Sequence, residues 1–533
     1  MRRRSALGLL AGMTAAGVAG CTVTTNGMDT GSAARASSPV NRDDPAADSL
    51  AAVTPEFVAA AVADLPDSVA LAMEQVGTPG VAVAVIHEGK TVYAKGFGVR
   101  SVDTKAPIDE HTVFQLASVS KCVGATVVAR VIDQGTVSWT TPVVQHLPGF
   151  TLSDPWVGSH ATIADMYAHR SGLYEHAGDE LEEIGYDRAE VIRRLSLIPL
   201  APFRSTYAYA NFDITTAAES VAQAAGVDWA DLSEQELYGP LGMADTSSRY
   251  ADLEARDNRA LGHVEVDGVW VVTPDQRQPD AQSPAGGVSS SITDLATWMT
   301  MLLANGQVDG GEFIAAETLR AAMSPKIVSG QNAATGDRVG TYGYGFNVTT
   351  SAGGYVDVNH SGAFALGAGT IIKMLPQAGL GIIVLTNGAP TGVAEGIAGR
   401  FMDLAQFGEK RQDWLTFFRA VFASQSLPFG TLVGATAPAS PTPAQPLTAY
   451  AGAYANDYFG PATIVQDGDG LTLTLGPTGR WPLTHWDGDT FTFTPSGENA
   501  EPGSISQAIF GAGRLVLEYF DQEQLGTFTR APG

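Results

Sequence analysis

The chain has 533 residues, 44% of them hydrophobic and 16% charged; it is long enough for two or three domains and too apolar for global disorder. A formal net charge of −25 argues against nucleic acid and against anionic membrane surfaces as partners. Nine histidines and two cysteines show neither HExxH nor clustered Cys/His spacing, so neither a metal nor a cofactor is indicated.

In chain order, Arg2, Arg3 and Arg4 form a positive start, and residues 6–18 are an apolar run too short to span a bilayer. Val18-Ala19-Gly20-Cys21 then resembles a bacterial lipoprotein signal, so residues 1–21 read as a signal peptide ending at a lipidated Cys21. The implied protein is exported and membrane-anchored in the cell envelope; an ordinary secretory signal and a secreted protein are the alternative. Arg3-Arg4-Ser5-Ala6-Leu7 also resembles a weak twin-arginine signal, leaving the export route open. Residues 22–52 are polar, small and aperiodic, as in a flexible tether.

A helical pattern runs from Val53 to Val76. Strands are predicted at 80–86 and 91–98, joined by a turn at Glu88-Gly89-Lys90 into an antiparallel hairpin. Next comes an apolar helix that starts at Ser118 and stops near Gly135. With little polar face, it is a core helix held by packing, and Cys122 on it reads as a buried structural thiol.

Residues 136 to about 340 read as helices and loops, with Ser291 to Asp294 as a capped helix start. Strand patterns return at 344–348, 355–359, 367–374 and 379–386, and helical stretches follow near 391–405 and 410–424. Two early strands, a helical middle and late strands predict one α/β (α+β) domain over 53–425: an antiparallel sheet flanked by helices, with a mainly helical subdomain. Residues 426–446, rich in Pro and Ala from 434 on, form a linker. Beyond it, short alternating strands around Asp467-Gly468-Asp469-Gly470 and Asp487-Gly488-Asp489 predict a small all-β barrel over 447–533. Trp481, Trp486, Phe491 and Phe493 are expected in its core.

Three short motifs carry chemistry. Ser118 and Lys121 are three apart, on one face of a helix. A serine hydroxyl is a weak nucleophile that needs an adjacent base, and a buried lysine loses charge and can supply one. Only one of the seven lysines, Lys121, has a serine three positions before it. Tyr209-Ala210-Asn211 offers a phenol to relay a proton and an amide to hold a carbonyl. His360-Ser361-Gly362 puts a histidine on a strand edge beside a glycine that allows close backbone approach. Two decoys, Tyr454-Ala455-Asn456 and His176-Ala177-Gly178, repeat the second and third patterns.

The order Ser118/Lys121, Tyr209/Asn211, His360/Gly362 resembles the serine β-lactamase and penicillin-binding-protein superfamily in its class C-like branch, which includes D-alanyl-D-alanine carboxypeptidases, D-aminopeptidases and esterases. Residues 167–173, 239–246 and 284–290 also match, so the resemblance covers about 70–405; the segment from 447 on resembles a lipocalin-like barrel. The resemblance implies a serine hydrolase acting through an acyl-enzyme. Ser118 would be the nucleophile, Lys121 its base, Tyr209 the proton relay and Asn211 a binder of the acyl side chain. The backbone N–H groups of Ser118 and Ala363, the residue after Gly362, would form the oxyanion hole.

One departure stands out: the β-lactamase pattern has lysine where His360 stands. A histidine titrating near neutrality is a weaker carboxylate anchor, which favours an ester, amide or D-amino acid peptide substrate over a β-lactam. A class C-like β-lactamase, and a non-catalytic envelope binding protein of the same fold, are the alternatives. The partners so implied are a small molecule or peptide, no nucleic acid, and membrane only through the lipid anchor; homo-oligomerisation stays open.

Overall fold

The computed structural model describes residues 50–330 and 338–531. The signal peptide at 1–21, its Cys21 and residues 22–49 of the tether lie outside the described residues. Ala51 is already tied to the fold: its N–H donates to Gly353 O at 2.8 Å, and its carbonyl accepts from the Tyr355 hydroxyl at 2.7 Å. Residue 51, within the expected tether of 22–52, is thus bonded to the fold.

Helix α1 spans Pro55–Val76, with Thr54 accepting from Phe57 N–H as its N-cap and Gly77 closing it in the left-handed region. Strand β1 (Gly80–His87) turns through Glu88 and Gly89, both at positive φ, into β2 (Lys90–Gly98). Two positive φ values are what a tight hairpin turn requires, and the glycine supplies one without strain. Helix α2 (Ser120–Asp133) follows. Ser118 lies not on this helix but in the 3₁₀ turn Ala117–Val119 just before it. Helix α3 spans Asn211–Ala225 and α4 Ile292–Leu303, the latter capped by Ser291 as expected.

The late strands are β3 (Ile327–Gly330), β4 (Gly340–Tyr342), β5 (Asn347–Thr350), β6 (Val356–Phe364), β7 (Ala368–Leu375) and β8 (Leu380–Thr386). Helices α5 (Val393–Phe407) and α6 (Trp414–Gln425) follow. One antiparallel sheet runs β2-β1-β8-β7-β6-β5-β4-β3, so the chain's early hairpin is sewn to its late strands through β1–β8. Alternate residues of β1 face opposite cores, as strand geometry dictates. Val81, Val83 and Val85 pack with α1 and α5; Ala82, Ala84 and Ile86 pack with α2 and α4. That double burial explains the unbroken apolar run at 80–86.

Three strand expectations need correction. Strands β3 and β4 and a hairpin of His263–Val266 with Val269–Val272 fall where helices and loops were expected. Residues 344–346 are not in a strand. Strand β6 runs five residues beyond the expected 359, so His360 sits inside it opposite Ile372 rather than at an edge. Its polar and glycine residues look like a strand end, yet the ladder with β7 depends only on backbone groups.

Residues 426–446 contain neither helix nor strand, and their end is strapped to the barrel, with Gln445 N–H donating to Tyr450 Oη at 2.8 Å. The barrel strands are β9 (Gly452–Ala455), β10 (Ala462–Asp467), β11 (Gly470–Leu475), β12 (Gly479–Asp487), β13 (Thr490–Phe493), β14 (Ser506–Gly511), β15 (Arg514–Leu517) and β16 (Thr527–Arg530). They close into an antiparallel barrel by β9–β16 pairing. Trp481, Phe491 and Phe493 are buried in it. Trp486 is only half-buried, because it falls in the register shift between His485 and Asp487.

Candidate active site

Ser118 stands on a turn fixed from three sides. Ala117 before it is buried and held at φ 47°, a left-handed conformation that costs a non-glycine residue energy and persists only when its surroundings impose it. Leu116 N–H donates to Val288 O at 2.9 Å, Val288 N–H donates to Ser120 Oγ at 3.0 Å, and the Thr370 hydroxyl of β7 donates to Leu116 O at 2.7 Å. Strand β6 presses on the same turn. A Cβ on Gly362 would lie 2.3 Å from Leu116 O and 3.0 Å from Ser118 N, so only glycine lets the strand come this close.

Beneath Ser118, Lys121 is fully buried. Its Nζ donates to Ser118 Oγ at 3.0 Å, Asn211 Oδ1 at 2.7 Å and Ala285 O at 2.9 Å. Loss of water lowers its pKa to about 7, against the opposing charge of Asp179. The Tyr209 hydroxyl donates to Ser118 Oγ at 2.8 Å, and Lys121 Nζ lies 4.6 Å from the Tyr209 ring centre. Burial keeps that phenol protonated by raising its pKa far above the usual value. Tyr209 is aimed by backbone bonds on both sides: Ala208 N–H donates to His169 O at 3.0 Å, and His176 N–H donates to Tyr209 O at 2.8 Å.

Asn211, the first residue of α3, is committed at both ends, since its Nδ2 also donates to Asp179 Oδ2 at 2.9 Å. With no substrate present it links Asp179 to Lys121, and it lines the cleft where an acyl side chain is expected. His360 departs from the expected titration near neutrality. Burial, then the charge of Lys121, lowers its pKa to about 3, so it does not titrate near neutrality. Its Nδ1 meets Ser361 O at 2.6 Å and its Nε2 meets the Tyr342 hydroxyl at 3.0 Å. A neutral ring donating from Nδ1 and accepting at Nε2 satisfies both contacts. It offers no charge to a substrate carboxylate.

Ser118, Tyr209, Asn211, His360 and Ala363 line one cleft, with Lys121 under it and Gly362 behind it. Groups that sequence patterns did not single out line the same cleft, among them Asp179, Arg277, Glu498 and Asn499, and so does His176. His176, set aside as part of a decoy, shares Asp179 Oδ2 through its Nδ1 at 2.8 Å. The acidic run 179–183 was the available signal for Asp179. The other decoy is structural: Tyr454 is in the barrel core, its hydroxyl donating to Tyr450 O. Cys122 is a buried thiol donating to Gly345 O at 3.0 Å, its pKa raised by burial.

Residues 59–407 match the family model described as Beta-lactamase, and the chain belongs to that family. Residues 436–510 match a domain of unknown function, DUF3471. The chain is similar to Unguisins hydrolase ungD of Aspergillus violaceofuscus, 26% identical over 82% of this chain and 84% of that protein. It is also similar to Penicillin-binding protein 4 of Amycolatopsis lactamdurans, 25% identical over 58% of this chain and 81% of that one. Among solved structures, the octameric penicillin-binding protein homologue from Pyrococcus abyssi shares the fold with a TM-score of 0.59 and 21% identity, over 86% of this chain and 98% of that one.

Proposed function

We propose that the protein is a serine hydrolase that cleaves an ester or amide through an acyl-enzyme on Ser118. The observation that carries this is the contact of Ser118 Oγ with both Lys121 Nζ and the Tyr209 hydroxyl, at 3.0 and 2.8 Å, with the lysine pKa lowered to about 7. When Lys121 is neutral, its two N–H groups stay on Asn211 and Ala285, and its lone pair faces Ser118. The serine proton passes to Nζ as Oγ attacks the substrate carbonyl carbon. The oxyanion so formed faces the N–H groups of Ser118 and Ala363, each worth about 3 kcal/mol in such a role. The leaving oxygen or nitrogen takes its proton from Tyr209, which is resupplied through Lys121; water then releases the acid from Ser118 by the reverse relay. Relatives named as hydrolases and as penicillin-binding proteins are compatible with this chemistry.

The neutral His360 leaves no third-motif cation for a substrate carboxylate, so ester or D-amino acid amide substrates, which carry no carboxylate, are favoured over β-lactams. Treating the protein with a fluorophosphonate or a labelled penicillin and mapping the adduct by mass spectrometry tests the nucleophile. A single adduct on Ser118, and none in S118A, is the expected result; labelling elsewhere, or activity retained by S118A, overturns it. The catalytic unit is assigned to 53–425, the linker to 426–446 and the barrel to 447–533. An anchor at Cys21 predicts that C21S moves the protein from the membrane fraction to the soluble exported one.

A further inference from the structure

The loop 494–505, between β13 and β14, reaches out of the barrel and into the cleft. Its Glu498 carboxyl oxygens accept from Ala365 N–H at 2.7 Å and Leu366 N–H at 3.2 Å. These are the first backbone donors of the turn that ends β6, directly after Ala363 and Phe364. The loop is itself clasped to the hydrolase. Asn499 N–H donates to Glu183 Oε1 at 3.0 Å, and the Tyr519 hydroxyl donates to Glu183 Oε2 at 3.1 Å. Gly497 lies so close that a Cβ there would be 2.3 Å from Glu183 Oε1.

The far side of the same turn is held by the hydrolase alone: the Thr273 hydroxyl donates to Leu366 O at 2.8 Å, and Gly367 N–H donates to Phe364 O at 2.9 Å. Phe364, between Ala363 and the clasped pair, packs with Ala117 and Ala368 in a small cluster of its own. Ala117 directly precedes Ser118. The residues leading into the turn therefore flank the expected oxyanion site on both sides, Ala363 in the strand and Phe364 against Ala117. Among the described residues, the acceptors bonded to the Ala365 and Leu366 N–H groups are the two Glu498 oxygens.

We propose that Glu498 is a positioning residue for the hydrolytic reaction: the barrel, through this one carboxyl group, sets the turn that holds the Ala363 and Ser118 N–H groups around the oxyanion. This gives the C-terminal module a part in the reaction itself, and it rests on Ser118 being the nucleophile as proposed above. Because oxyanion donors act on the tetrahedral state rather than on bound substrate, loss of Glu498 lowers kcat and leaves KM nearly unchanged.

The experiment is steady-state hydrolysis of p-nitrophenyl acetate by full-length wild type, E498A and E498Q, with fluorophosphonate labelling of Ser118 in each. E498A is expected to lose about 30-fold in kcat with KM within about twofold, and E498Q, which keeps one acceptor oxygen, to lose only about fivefold. Should E498A not fold, E498Q still reads the effect, since its neutral amide fills the same space. Wild-type kcat in both variants, a change in KM alone, or E498Q as impaired as E498A overturns the proposal. Failure of the nucleophile assignment looks different: wild type would then carry no label on Ser118.

Discussion

At the scale of single residues, the mechanism proposed above makes Lys121 the group that governs the pH response. Its pKa is lowered to about 7 by burial, so it is protonated below that pH and neutral above it. A base must be neutral to act, so kcat/KM for an ester should rise tenfold per pH unit below about 7 and level off above it. Asp179 opposes the lowering and holds Asn211 in place. The D179N variant should therefore shift the acid limb to lower pH by about half a unit while lowering kcat, because Asn211 is free to turn away from Lys121. A pH–rate profile of the two proteins checks both signs; a limb that moves to higher pH contradicts the assignment. Replacing Lys121 with alanine should cost about 10²- to 10⁴-fold in kcat, measured with the same ester.

At the scale of elements, β6 and the Ser118 turn form one unit. In G362A the added methyl would lie 2.3 Å from Leu116 O and 2.4 Å from the Thr370 hydroxyl oxygen, both of which are locked to each other. The strand must retreat from Ser118, so kcat should fall about 10²-fold or more, with a stability loss of about 1–3 kcal/mol by denaturant unfolding. Local patterns made this unit partly legible. The i, i+3 spacing of Ser118 and Lys121, the glycine of the third motif, the capped start at Ser291 and the β1–β2 hairpin all depend on neighbours in sequence. What stayed hidden depends on distant partners. The role of Asn211 is set by Asp179 and Lys121, the charge state of His360 by burial and Lys121, and the inner half of β6 by its ladder with β7. The sequence window around Tyr344 looked like a strand because its aromatics are buried, although its backbone turns at Gly345, φ 78°. Glu498 had no local signal at all, since its partners Ala365 and Leu366 lie more than 130 residues away.

At the scale of the whole molecule, the barrel docks on residues 174–194. Tyr186 Oη donates to Phe459 O at 2.9 Å, Thr478 N–H donates to Ile184 O at 3.0 Å, and Arg194 bonds to Tyr458 O. Carboxyl groups crowd this junction. Burial pushes Glu180 and Glu498 up to about 8 and Glu183 to about 7, with Asp179 and Glu183 adding repulsion at Glu180. Folded-state values above the unfolded ones mean that their stabilising contribution is complete below about pH 4.5 and fades as pH rises through 7 to 8. His360 has the opposite sign: its lowered pKa makes it destabilising as pH falls from about 6.5. Tm should therefore peak at roughly pH 5–6 and decline toward pH 8.5, and E180Q should flatten the alkaline decline. A Tm that stays level between pH 6 and 8.5 in the wild type would speak against a carboxyl-controlled junction.

The loop 494–505 carries no strand pairing, while Ser118, Lys121 and Tyr209 all stand on the hydrolase frame. Apart from Glu498, the part of the loop that lines the cleft, Asn499, stands on a stretch of chain separate from Ser118, Lys121 and Tyr209. Directed libraries confined to this loop, with Glu498 retained, can recast the mouth of the cleft for new esters or amides without disturbing the atoms that break the bond.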